Sequence, residues 1–106
     1  MPDENESVTI SMNATLHLFE AVLAGHKAVL QYQLQGRSIA LIHTEVPHEL
    51  EGRGVGSALA RAGLNYAREH NLSVLPYCPF VEQYIRRHPE ELALVEPAYR
   101  KEWFPG

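Results

Sequence analysis

Glu51-Gly52-Arg53-Gly54-Val55-Gly56-Ser57-Ala58-Leu59 is the stretch on which the reading of this chain turns. Glycine alternates with other residues in its first half, and a helical pattern begins before it ends. From Val55 onward, Val55, Leu59, Ala62, Tyr66 and Ala67 fall on one face, while Arg61, Asn65, Arg68 and Glu69 take the other. Just upstream, Ser38 to Val46 opens with Ile39-Ala40-Leu41-Ile42, an apolar run that suits a strand covered on both faces. The glycines therefore stand where a buried strand gives way, through a loop, to an amphipathic helix. The first N–H groups of a helix have no internal acceptor and lie at the positive end of its dipole. Glycine permits positive φ and leaves room for a ligand to approach the backbone. Together these make a cradle for a phosphate or diphosphate, with the cation of Arg53 beside it.

Two familiar phosphate loops are excluded. No Gly-Lys-Ser/Thr is present, so this is not a nucleotide-triphosphatase loop. The dinucleotide pattern Gly-x-Gly-x-x-Gly also fails, because Gly54 and Gly56 are followed by Leu59.

Toward the N-terminus the pattern is strand-like. Leu16 to Val22 alternates in part, Ala24-Gly25-His26 is a turn signal, and Lys27 to Leu34 places Ala28, Leu30, Tyr32 and Leu34 on one face. Gln35-Gly36-Arg37 turns the chain again. Such short connections predict an antiparallel meander. An edge strand is expected at Val8–Met12. Toward the C-terminus, Asn71 ends the first helix and Leu72 to Leu75 is a short strand. A second helix is expected from Pro79 to His88, with Pro79 at an early helical position and Pro89 just past the end. The strand–helix–strand order makes the two flanking strands parallel. Leu92, Leu94 and Val95 read as a last strand. The expected fold class is α+β: mostly antiparallel strands, then a glycine loop–helix–parallel strand–helix unit. The organisation that follows is a flexible segment over 1–13, one domain over 14–95 and a tail over 96–106.

The chain's 106 residues provide for one domain, and 45% hydrophobic residues are ordinary for a globular one. A single cysteine makes no internal disulfide, which fits a reducing compartment. No apolar run reaches the length of a membrane span, and the polar, acidic Met1 to Ser7 does not resemble a signal peptide. A cytoplasmic location and no membrane partner are expected. The net charge of −4 argues against nucleic-acid binding. The six histidines are scattered without the spacing of a zinc site, so no metal is expected.

The glycine stretch resembles the acyl-CoA loop of the GNAT acetyltransferases, Gln/Arg-x-x-Gly-x-Gly/Ala. With His43-Thr44-Glu45-Val46-Pro47 before it and Pro76-Tyr77-Cys78-Pro79-Phe80-Val81 after the helix, the chain is similar to a small, truncated GNAT subfamily over about Leu16 to Glu90. The resemblance implies a minimal GNAT-like fold and acetyl-CoA or CoA as cosubstrate. It also implies an amine acceptor, with the acyl and pantetheine part held along Thr44, Glu45 and Val46. The diphosphate would lie on the amides of Arg53, Gly54, Val55 and Gly56. Two departures stand out. Glu51 occupies the motif's first position, normally Gln or Arg. The chain also has no room for the helices that wall the acceptor site in longer members, so that side is open or completed by a partner.

Three residues are candidates for chemistry. Cys78 sits just before a helix, where the dipole favours a thiolate, and an acyl group could pass through it. The opposing reading is a small buried hydrophobe. His43 and Glu45 lie two apart on a strand, hence on one face, where either could accept a proton from an attacking amine. In many GNAT enzymes a tyrosine of the last helix protonates the leaving thiolate. Here that position holds Ile85, and Tyr84 lies one residue earlier, about 100° around the helix. Two functions remain open: an N-acetyltransferase acting by direct attack or through Cys78, and a non-enzymatic acyl-CoA-binding or interaction module. The aromatic Tyr99, Trp103 and Phe104 could dock on the body or form a homodimer.

Overall fold

The computed structural model describes residues 8–103, and the side chains of Glu102 and Trp103 are not among what it describes. Part of the expected flexible segment (1–7) and part of the tail (104–106) lie outside the described residues. The elements are β1 (Thr9–Asn13), β2 (Leu18–Leu23), β3 (His26–Gln35), β4 (Ser38–Glu45), α1 (Val55–Glu69), β5 (Ser73–Pro76), α2 (Pro79–Arg87) and α3 (Pro97–Trp103). Short 3-10 turns cover His48–Leu50 and Pro89–Leu94.

The five strands form one sheet in chain order. β1 to β4 pair antiparallel, and β4 pairs parallel with β5 across the α1 crossover. The meander is dictated by its turns. Ala24 and Gly25 both have positive φ (54° and 80°), the geometry of a two-residue hairpin whose twist matches its strands. Past the last residue of α1, Glu69, Asn71 takes the left-handed φ of 56° that closes the helix. The Leu72 N–H donates to the Ala67 carbonyl at 2.9 Å and the Asn71 N–H to Arg68 at 3.5 Å, a complete Schellman closure. Pro79 opens α2 at its first turn.

The core lies between the sheet and the helices. Phe19, Ala21, Ala28, Leu30, Tyr32, Ile39 and Leu41 from the strands pack with Val55, Leu59, Leu64 and Ala67 of α1 and Val81 and Ile85 of α2. Gly63 lets α1 settle closely, since a Cβ there would stand 3.3 Å from Leu30 and Leu41. Ala62 and Tyr66, expected on the buried face, are half-buried at its margin.

Leu34 continues the face of Ala28, Leu30 and Tyr32 but is half-exposed, because it lies near the far end of the ten-residue β3, beyond the core. The expected last strand is corrected. Leu92 and Leu94 belong to a 3-10 turn, and Val95 makes only an isolated parallel bridge to Val74. Pro89 starts that turn, and its fixed φ suits helical geometry. The turn is held to α1 by an ion pair between Arg68 and the nearly buried Glu91.

Candidate active site

The site is built around the end of β4. Pairing with β5 stops at Leu41, opposite Pro76. Residues 42–45 continue as strand but pair only with β3. A wedge therefore opens between the end of β4 and the chain that leaves β5. The Cys78 N–H closes the base of the wedge by donating to the Leu41 carbonyl at 2.9 Å.

A β-bulge sits at the same place. Leu41 faces Tyr32 and His43 faces Gln31, so Ile42 is one residue extra on β4. Beyond it the faces of the strand are exchanged. Thr44 stands opposite the buried Leu30, while His43 and Glu45 stand opposite Gln31 and Val29 on the other face.

The three candidate catalytic residues consequently fall into two pairs. Cys78, only 3% exposed, places Sγ 3.2 Å from the Thr44 Oγ1, and either group can donate. Its backbone caps α2 by accepting from the Glu82 N–H at 3.0 Å. His43 Nε2 lies 3.3 Å from Glu45 Oε2, and both side chains are largely in solvent. Tyr84 is buried in the core, its ring stacked on His88 at 4.1 Å, and Ile85 is fully buried.

Two cavities meet at Val46. One, of about 270 Å³, is lined by Val46, Gly54, Val55, Gly56, Ser57 and Phe80, among others. The other, of about 500 Å³, is lined by Lys27, Val29, Thr44, Glu45, Val46 and Pro47. The glycine loop lies along the first. Gly52 and Gly54 have φ of 79° and 77°, and a Cβ on either would meet only open space. These two are glycine for backbone conformation. Gly56 is glycine for contact, because a Cβ would stand 2.8 Å from the Phe80 ring. The Ala58 N–H donates to Gly54, so the Val55, Gly56 and Ser57 N–H groups form the first turn that helix geometry leaves without acceptors. The Arg53 N–H is turned into the loop, donating to the Leu50 carbonyl at 3.3 Å, and its side chain is exposed. Glu51 Oε1 lies 3.4 Å from His48 Nδ1, an exposed pair at the loop's start.

Reasoning from sequence overlooked Phe80, the Thr44 hydroxyl and Lys27. A signal for Phe80 existed in Gly56, since a glycine inside a helix's first turn often marks close approach by a neighbour. Nothing in the sequence brings Lys27, whose ammonium lies 3.7 Å from the Glu20 carboxylate, to the same cavity as Glu45. Among the described residues no group of His, Cys, Asp and Glu is arranged to hold a metal ion, and no helix is long and apolar enough to cross a membrane.

A sheet that parts between two parallel strands, beside a glycine-opened helix start, matches the minimal GNAT-like fold expected from the sequence. The family model described as GCN5-related N-acetyl-transferase matches residues 18–95, and the chain belongs to that family. It is similar to protein NATD1 of Xenopus tropicalis, 30% identical over 90 residues that cover 82% of this chain and 83% of that protein. It is also 38% identical over 64 residues to protein NATD1 of Gallus gallus and of Homo sapiens. Each match covers 59% of this chain, with 58% and 57% of the respective relatives. The fold is accordingly that of a small acetyltransferase-type domain.

Proposed function

We propose that this protein transfers an acetyl group from acetyl-CoA to a primary amine. The observation that carries the reading is the coincidence of two features at Val46: the cavity beside the unpaired end of β4 and the cavity at the open first turn of α1 both have it in their walls. The residues fit the cosubstrate. A diphosphate can lie on the Val55, Gly56 and Ser57 amides, where the positive φ of Gly52 and Gly54 leaves the approach clear. Residues 42–46 offer strand edge to the acyl and pantetheine part. Acetyl-CoA supplies an activated thioester carbonyl. Glu45 and His43 face the open side, where an attacking amine would arrive, and serve to take its proton, directly or through water. As the amine nitrogen bonds to the carbonyl carbon, the C–S bond breaks and the sulfur takes up a proton.

Direct attack is the route we favour over passage through Cys78. A thiol 3% exposed and engaged with Thr44 must be uncovered before it can accept an acyl group. A second reading, an acyl-CoA-binding module without turnover, draws support from the burial of Tyr84, the residue beside the position where many GNAT enzymes carry a tyrosine acid.

Calorimetry with CoA and acetyl-CoA tests the shared premise, and release of free CoA thiol with a panel of polyamines, amino acids and lysine peptides separates the readings. We expect binding of both and thiol release with at least one amine, reduced about 10²–10⁴-fold in a variant that removes both proton acceptors, His43→Ala/Glu45→Gln. Binding without release across the panel favours the module, and no heat with millimolar CoA removes both readings.

A further inference from the structure

The two edges of the sheet differ. On the β5 side, Val95 bridges to Val74 and the Glu96 N–H donates to the Val74 carbonyl at 2.9 Å. Among the described residues, β1 has a strand neighbour on one side only. Its sequence Thr9-Ile10-Ser11-Met12-Asn13 holds no charge and no proline, and its register with β2 runs without a bulge. Charges, prolines and bulges are the devices that normally keep an edge from pairing.

Behind this edge, two adjoining grooves of about 350 and 270 Å³ run between β1 and α1. Val8 and Arg61 line one, Met12 and Glu69 line the other, and Ile10 and Asn65 line both. β1 and α1 therefore run in the same direction along the groove. Arg61, Asn65 and Glu69, spaced by four, form a stripe on the helix side of it. Among the described residues, neither Arg61 nor Glu69 takes part in an ion pair.

We propose that the β1 edge pairs with the β1 edge of a second copy of this chain, antiparallel and centred on Ser11, joining two five-stranded sheets into one. A two-fold axis perpendicular to the sheet keeps the core face continuous, with Ile10 beside Met12 of the partner subunit. The same rotation reverses the second α1. It turns Arg61 toward Glu69 of the partner subunit and Glu69 toward Arg61 of the partner subunit, with Asn65 at the centre. Any extended peptide could bond to a free edge. A second copy is selected because its own stripe, reversed, presents the opposite charge at each end. The arrangement is independent of the coenzyme reading.

Sedimentation equilibrium of the full chain at low salt tests it. We expect a dimer. Arg61→Glu and Glu69→Arg should each raise its dissociation constant by about tenfold or more, while the double exchange in one chain returns it to within about threefold of the starting value. Glu69 is exposed and Arg61 is partly buried, and rescue by the double exchange distinguishes lost charge pairing from lost folding. A monomer at all concentrations overturns the proposal. So does a dimer that either single exchange leaves unchanged, or one that the double exchange fails to restore.

Discussion

Ser38–Leu41 and Ile42–Glu45 are consecutive halves of one strand with opposite surroundings. The first half is paired on both sides, and Ile39, Ala40 and Leu41 are fully buried. The second half has β3 alone for a neighbour, and His43 and Glu45 reach solvent. The difference shows how a chain this small can keep a core and its proposed site apart. Groups locked into packing cannot also be offered to a ligand, and the strand gives up one neighbour where the proposed site begins.

The largest effect should come from treating the halves alike. Leu41→Ala should cost about 2–5 kcal/mol of stability in urea unfolding, from lost burial and the cavity left behind. Thr44→Ala, three residues on, should cost only the bond to Cys78, about 0.5–1.5 kcal/mol. Equal losses would erase the distinction. Next comes Gly54→Asp. At φ 77° a side chain costs about 1–2 kcal/mol, and the added carboxylate faces the open first turn of α1. The rise in melting temperature given by CoA should vanish, and a shift that survives would place the diphosphate elsewhere. The smallest effect concerns Tyr32, the partner of Leu41. Burial, and secondarily the nearby Tyr66, hold its phenol above the ordinary tyrosine value of 10.0. The folded state then grips that proton more tightly than the unfolded state does. Its contribution is complete below about pH 10 and fades as pH rises through the folded value. Tyr32→Phe should flatten the alkaline fall of stability while leaving the slope near neutral pH unchanged.

Much of this was legible in the sequence. The alternation of Lys27 to Leu34, the glycine loop, the helix phase from Val55 and the stop at Asn71 are local properties, and the structure follows them. What was not legible depends on register. Strict alternation from Ile39 would put His43 and Glu45 on the core face with Leu41, and only the pairing with β3 reveals the extra residue at Ile42. That the two share a face was readable, but which face was not. The last segment was misread because Leu92 and Leu94 are apolar for a reason other than strand pairing: they close over the core from a 3-10 turn tied down by Arg68 and Glu91, and only Val95, just past it, bridges to a strand. Phe80 was overlooked because its partner, Gly56, lies 24 residues away, beyond the reach of any local pattern.

The extra residue at Ile42 has one more implication. Because it turns His43 and Glu45 to the wet side of the sheet, an imidazole and a carboxylate keep their hydration and impose no desolvation penalty on folding. Under the proposed function, acceptor preference is open to retuning there, by changing the size or sign of either side chain, while the hydrophobic interior under α1 stays as it is.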